Sequence, residues 1–354
     1  MPYHTEFIAG VEAFLGRYAV SVAGGMTNNA HGGGTVQAAL ATAGFVMGPR
    51  TSEVDRAAPR LFAFFDLQAA AQNTDKFPFA KSQVRITLGP DDGSGTCVPV
   101  YVIPYQGGRG LGVQLPDQAT DGQAQAWAVT ATQNGCTVEI SGSRSSPYAS
   151  HTNVIDAHAA MRQTKMNARL DKLQQRFQVA AQAAVGIGPL PLQHDPTHSR
   201  TQFGHYLPNA VNPAHNFHGY QQHVGVVAGN LHAVTLAANQ TLKGGRVETG
   251  RTTHTRFRIT PTAATVASLQ NAAAPPNALV VGHRVADQWT FYYQEYASMN
   301  FEVREIKKFG PKLRLSDAWI MNTAGTARCA FGAVVVLSHG QLWPNTVSQN
   351  ETFT

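Results

Sequence analysis

Between Lys81 and Gln106 the chain reads KSQVRITLGPDDGSGTCVPVYVIPYQ, two apolar, β-branched runs on either side of a Pro-Asp-Asp-Gly-Ser-Gly segment. Valine, isoleucine, threonine and tyrosine suit a pleated, half-buried surface, while the clustered turn residues break any regular ladder. The spacing predicts strands over 83–88 and 97–105. The same grammar recurs over 124–132 and in TVEISGS after Asn134-Gly135-Cys136. Beyond residue 223 it returns at 224–227, 233–237, 256–259, 279–281, 289–293, 301–305, 317–321 and 330–337. Strands never alternate with helical patterns, so a parallel βαβ architecture is not expected. Antiparallel pairing is.

Three other segments are less regular. Residues 19–22 alternate and then break into a Gly/Asn loop over 24–34, with a helix expected from Thr35. RLFAFFDLQAAAQ over 60–72 fits a buried strand or a short helix. From Asn153 the pattern changes: Ile155, Ala159, Met166, Leu170, Leu173 and Phe177 fall at helical spacing, and Gly186 and Pro189 punctuate the end. This predicts one long helix. The residues therefore describe an α+β chain, 1–354, as one unit. A subdivision into 1–187, a His/Pro-rich connection over 188–223 and a β-rich half over 224–354 is the alternative.

Composition narrows the function classes. A chain of 354 residues with 43% hydrophobic content can bury a large core, and 14% charged residues is too few for a disordered polyelectrolyte. The net charge of +6 is spread thinly, without a basic run interleaved with aromatics, so no nucleic-acid partner is expected. No segment approaches 18 uninterrupted apolar residues, and the N-terminus lacks the pattern of a signal peptide. A soluble protein is expected, and export without a cleaved signal is compatible with this reading. The loop over 24–34 has neither the Lys-Ser/Thr nor the G-x-G-x-x-G spacing of a phosphate cradle, so no nucleotide cofactor is expected. His194, His198, His205, His215, His218 and His223 crowd one segment with Asp195. Pro196 breaks the single x3 spacing and no HExxH glutamate is present, so the segment reads as a polar loop and not as a metal centre.

The three cysteines, Cys97, Cys136 and Cys329, form no CxxC and no disulfide framework, which favours free thiols. Cys97 and Cys329 sit in apolar runs and are expected in the core. Cys329 and His339 would be some 30 Å apart along one strand at about 3.3 Å per residue, so they cannot form a pair. Cys136 is different. It follows Asn134-Gly135 at the lip of a hairpin whose returning arm carries His151, in ATQNGCTVEISGSRSSPYASHTN. With the turn centred near residue 144, partner numbers should sum to 287 or 288. A sum of 287 sets Cys136 opposite His151, and 288 sends the histidine to the other face. In the first register an imidazole can take the thiol proton and activate the nucleophile. The backbone N–H groups of the turn would meet the oxyanion, and Gly135 permits close approach.

Strand, X-Gly-Cys-Thr, strand, turn and a strand ending in His-Thr-Asn resembles the catalytic hairpin of the cytotoxic necrotizing factor type of protein-glutamine deamidases. The likeness covers about thirty residues, from Ala124 to Asn153. Members mostly read Ser-Gly-Cys where this chain has Asn134-Gly135-Cys136. The resemblance implies an antiparallel β-sandwich-like core with one long helix and peripheral helices. It also implies a Cys136–His151 pair that hydrolyses a glutamine side-chain amide of a target protein, in the manner of a bacterial toxin or effector, and no cofactor. Gly135, Asn134 and Asn153 would serve as oxyanion or positioning groups. In such enzymes a third group, often a main-chain carbonyl, orients the imidazole; the segment 101–106, Asn153 and Asp156 are the candidates. Transglutamination shares the acyl-enzyme. A non-enzymatic β-rich structural or assembly protein is the reading from another class. A Cys-His protease is disfavoured because papain-like enzymes place the histidine far downstream.

Overall fold

The computed structural model of the chain describes residues 2–23, 36–45, 52–55, 57–71, 80–106, 109–133, 137–152, 199–202, 256–262, 264, 277–307, 321–323 and 326–344. The expected long helix, the glycine-rich loop, the strands expected over 224–237 and the six clustered histidines lie outside these residues. So do Asn134, Gly135, Cys136, Asn153 and Asp156.

Two short helices, α1 (Tyr3–Ala9) and α2 (Val11–Arg17), lead into strand β1 (Ala19–Val22). Helix α3 (Val36–Thr42) is followed by β2 (Ser52–Asp55), β3 (Arg60–Ala69), β4 (Gln83–Gly89), β5 (Val98–Ile103) and β6 (Gly110–Gln114). Helix α4 (Gln118–Asp121) precedes β7 (Gln125–Thr130), β8 (Thr137–Gly142), β9 (Pro147–Thr152) and β10 (Ser199–Gln202). The C-terminal part supplies β11 (Arg256–Pro261), β12 (Asn277–Val285), β13 (Gln288–Lys307), β14 (Met321–Thr323) and β15 (Thr326–Trp343). The described fold is α+β and dominated by sheet.

One sheet runs β1-β4-β3-β5-β7-β12-β13-β15-β14, with β11 added to β13; the second runs β10-β8-β9-β6-β2. The larger sheet curls until it is nearly closed, like a barrel. Ala80, just before β4, bridges Val335 of β15, and the Lys81 N–H donates to the Val334 carbonyl at 2.8 Å. At this seam Gln294 of β13 replaces a regular ladder. Its Oε1 accepts from Val20 N at 2.8 Å, and its Nε2 donates to the carbonyls of Leu15 and Tyr18. One fully buried amide thus joins the end of α2 and β1 to the C-terminal strands. On α1 and α2 the apolar residues Phe7, Phe14 and Leu15 are at most 2% exposed, and Phe7 and Phe14 stack edge-on against each other and pack on Phe65 of β3.

The pairing departs from the antiparallel expectation in three places. β1–β4, β5–β7 and β2–β6 are parallel. The two strands around the Pro-Asp-Asp-Gly-Ser-Gly segment form, but not as a hairpin, because β3 lies between them and is antiparallel to both. β4 pairs along Phe62–Ala69 and β5 along Arg60–Ala63, so the link from residue 90 to 97 has only to step across β3. Arg60–Ala69, within the segment that is ambiguous as sequence, is therefore a central strand. The runs at 289–293 and 301–305 fuse into one strand of 20 residues, since no glycine or proline interrupts the intervening sequence. Cys97 is a correction of another kind: it precedes β5, is half-buried and contacts Asp91 through Sγ at 3.7 Å instead of entering the core.

β12 and β13 turn at Ala286 and Asp287, whose φ angles of 48° and 61° give the left-handed pair that matches strand twist in a two-residue hairpin. The Asp287 carboxylate accepts from Gln118 N at 2.7 Å, which fixes the start of α4. Next to the turn, Arg284 is fully buried. It donates to Asp121 Oδ1 at 2.6 Å, to the Gln123 carbonyl at 2.8 Å and to the Pro116 carbonyl at 2.8 Å, and it lies over the Trp289 ring. Asp121 also accepts from Tyr101 Oη at 2.9 Å. Burial works against ionisation of Asp121, yet the Arg284 and Gln123 donors hold its carboxyl below the usual range. Burial and the same carboxylate push Tyr101 up to about 12.

Gly282 shows how tightly the central strands pack. A Cβ there would lie 2.8 Å from Phe291 Cε1 and 3.2 Å from Ala128 Cβ. Gly282→Ala is expected to cost about 1–3 kcal/mol of stability through overpacking, read from denaturant midpoints. An alanine variant as stable as the parent would mean that Phe291 has room to swing away.

Candidate functional site

The hairpin that carries His151 forms, with a register that neither arithmetic expectation supplied. Thr137 pairs with Thr152, Val138 with His151 and Gly142 with Pro147, so partner numbers sum to 289. The difference lies in the turn. Ser141, Gly142 and Pro147 belong to the ladder, leaving Ser143–Ser146 as a four-residue loop whose Ser143 Oγ accepts from Ser146 N at 3.2 Å. The loop is anchored outside its own sheet, because Trp289 N donates to the Arg144 carbonyl at 2.7 Å. The sum is odd, as 287 is, so even-numbered residues of β8 share a face with odd-numbered residues of β9.

On that face a row runs across three strands: Leu111 of β6, His151 of β9 and Val138 of β8. Val113, Ala149 and Ile140 make the next row, and every one of the six residues is at most 1% exposed. This face meets the larger sheet. The imidazole is the polar exception, and Thr130 of β7 supplies its partner: Oγ1 lies 2.5 Å from Nδ1, and the threonine is itself fully buried. Tyr105, just after β5, lies against the ring with centroids 4.6 Å apart at 40°. Nε2 is buried and has no hydrogen-bond partner among the described residues. Burial lowers the imidazole pKa to about 3, so the ring is neutral at any ordinary working pH. When Nδ1–H donates to the Thr130 hydroxyl, Nε2 keeps its lone pair and presents a base.

The two strands that hold the ring belong together. β5 and β7 are parallel neighbours, with Ile103 beside Thr130, and Tyr105 follows two residues beyond Ile103. Past Thr130 the chain stays on the larger sheet as far as Gln133. There the Gln133 N–H donates to the Ala278 carbonyl at 2.7 Å and the Ala278 N–H donates back at 3.0 Å. By Thr137 the chain has joined the smaller sheet. The described chain thus leaves the larger sheet at Gln133 and enters the smaller one at Thr137, and Thr130 and His151 also join the two sheets.

Of the expected site residues, His151 is thus placed, while Asn134, Gly135, Cys136 and Asn153 lie outside the described residues. Among the candidates for an orienting group, the segment 101–106 contributes an aromatic face through Tyr105, and the hydrogen bond to Nδ1 comes from Thr130. Sequence reasoning missed Thr130. The available signal was a hydroxyl closing the apolar run AWAVT, six residues before Cys136. Another group also escaped it: Asp91, Asp92 and Cys97 present ligand atoms within 4.8 Å of one another on the surface. Both carboxylates accept from the N–H two residues on, Gly93 and Ser94 respectively, as ordinary turn residues do. Burial and the neighbouring aspartates push the Cys97 thiol up, away from its reactive form.

Among the described residues no helix is long and apolar enough to cross a membrane. No protein-family model matches the chain, and no curated protein is similar enough to match it, so the reading of the site rests on its own residues.

Proposed function

We propose that the chain is a cysteine-dependent amidohydrolase acting on the side-chain amide of protein glutamine, with Cys136 as nucleophile and His151 as acid and base. The observation that carries the reading is the His151 ring: one nitrogen tied to Thr130, the other buried and without a hydrogen-bond partner among the described residues. It sits on the strand paired with the one that starts directly after Cys136.

In this mechanism Nε2 takes the thiol proton as sulfur attacks the carboxamide carbon. The C–S bond forms, and the oxyanion is met by the Cys136 N–H and the Asn134-Gly135 turn. The intermediate collapses with cleavage of the C–N bond, and His151 returns its proton to the departing ammonia. Water, deprotonated by Nε2, then attacks the thioester, freeing Cys136 and leaving glutamate. Thr130 keeps the ring in the orientation and tautomer that both half-reactions need. Asn153 follows β9 and is assigned to positioning. An amine in place of water would give transglutamination from the same acyl-enzyme. Action as an effector on another cell's protein belongs to the same proposal.

The second reading, a non-enzymatic structural or assembly protein, draws on the same burial: a fully enclosed histidine bonded to a threonine is also an ordinary core device. Limited iodoacetamide labelling of the native protein, mapped by mass spectrometry across pH, separates the two. The amidohydrolase is expected to alkylate Cys136 at least about tenfold faster than Cys97 and to lose that advantage in His151→Ala. Equal, slow labelling of all three thiols in the parent would leave the structural reading in place.

A further inference from the structure

β3 outruns one of its two neighbours. β4 pairs with it over 62–69, but β5 pairs with it only over 60–63. The Pro59 carbonyl accepts from Val102 N at 2.8 Å, so odd-numbered residues of β3 aim their backbone groups toward β5. Pro99, which has no N–H to give, accordingly lies opposite an even-numbered residue, Phe62. Beyond Ala63 the N–H and C=O groups of Phe65 and Leu67 continue this row, and among the described residues no strand lies beside them. The side chains are open as well: Asp66, Leu67, Gln68 and Ala69 are all exposed. Leu67, 47% exposed, and Ile8, 38% exposed, are two of the three large apolar side chains exposed among the described residues. Both flank one contact, since Ile8 follows Phe7, which packs on Phe65, two residues before Leu67.

We propose that the free edge of β3 over residues 65–69 is an interface with a second copy of this chain, formed by antiparallel strand addition about a two-fold axis at Leu67. The groups along the edge select that register. Two copies exchange backbone hydrogen bonds here only through facing odd-numbered residues, so partner numbers sum to 130, 132 or 134. A sum of 130 sets Leu67 opposite Ala63, where β5 already pairs. A sum of 132 sets Asp66 opposite Asp66 of the copy, two like charges face to face. A sum of 134 sets Leu67 against Leu67 and Asp66 against Gln68, a carboxylate acceptor against an amide donor. The last register covers the exposed leucine and opposes no charge to its like. Because the same patch serves on both chains, the contact closes at two copies and does not propagate. The register shift between Leu67 and Ala69 bends the strand just past the axis, which keeps the paired edge short. The proposal is independent of the reading of the His151 site.

Sedimentation velocity of the full chain, from micromolar to millimolar concentration, tests this. The parent is expected to pass from one chain to two as concentration rises. Leu67→Lys puts two like charges at the axis and is expected to raise the dimer dissociation constant about tenfold or more. Gln68→Glu sets a carboxylate opposite Asp66 at both symmetry-related positions and should raise it about threefold or more. Gln68→Lys sets an ammonium there and should lower it by about the same factor. Both positions are exposed, so thermal unfolding of the variants should match the parent. The opposite signs at Gln68 distinguish a contact in this register from damage to the fold. A parent that stays a single chain at millimolar concentration, as it would if another segment or a different protein takes this edge, would overturn the proposal. So would a dimer that is indifferent to Leu67→Lys, or one that shifts in the same direction in both Gln68 variants.

Discussion

Asp121→Ala is expected to lower the unfolding free energy by about 3–5 kcal/mol, the cost of leaving a buried guanidinium without its carboxylate. The Arg284 side chain is 0% exposed and that of Asp121 6%, so water cannot take over the lost contact without local opening. The damage would extend beyond one pair. Arg284 holds the loop around α4 through Pro116 and Gln123, Trp289 Nε1 donates to the same Pro116 carbonyl at 3.0 Å, and Tyr101 loses its acceptor. Asp121→Asn keeps one acceptor oxygen for Arg284 and turns its amide N–H₂ to the Tyr101 hydroxyl, which can accept, so it should cost less than alanine. Exchanging both partners for apolar residues, Arg284→Met with Asp121→Leu, should recover part of the loss. Urea unfolding at neutral pH measures all three, and an alanine variant within 1 kcal/mol of the parent would refute the account.

Acid should unfold the protein partly through His151. Its pKa in the native state is lowered to about 3 by burial, while an unfolded chain titrates near 6.5. The native state therefore binds fewer protons than the unfolded state between those values. The neutral ring's stability is fully present above pH 6.5 and is lost as pH falls toward 3. The slope approaches about 1.4 kcal/mol per pH unit, or about 3 kcal/mol between pH 6.5 and 4. His283 is shifted in the same direction by burial and adds to the slope. Glu295, whose carboxyl burial raises, acts oppositely and loses stability as pH rises above its unfolded value. Comparing the parent with His151→Gln at each pH removes both of those contributions. The difference in unfolding free energy should shrink steadily from pH 6.5 to 4. Parallel curves would mean that the ring is hydrated in the folded protein.

These two sites also show what could be read in the sequence. The strands could be, because alternation and turn residues are local: 83–88, 97–105, 124–132 and the hairpin over 137–152 all form. Their order could not. Nothing in QVRITL or VPVYVI says that RLFAFFDLQA will lie between them, since a strand's neighbours are chosen by the packing of whole faces. The register of the hairpin missed by so little because Gly142 and Pro147, turn residues by type, join the ladder. Thr130 was invisible for a related reason: it meets His151 between two sheets, and no spacing in the chain encodes that distance. The Arg284–Asp121 pair, 163 residues apart, is of the same kind.

The Gln294 amide has a consequence for how the chain is made. Val20, which donates to it, is 274 residues upstream, and the Val334 carbonyl that receives Lys81 lies farther still toward the C-terminus. A nascent chain emerging from the ribosome can pair β1 with β4 early. It cannot complete the seam until Gln294 and Val334 have been synthesised, and contacts of such long range form slowly. Until then Phe7 and Phe14 can already pack on Phe65, but the carbonyls of Leu15 and Tyr18 lack the amide that secures the end of α2.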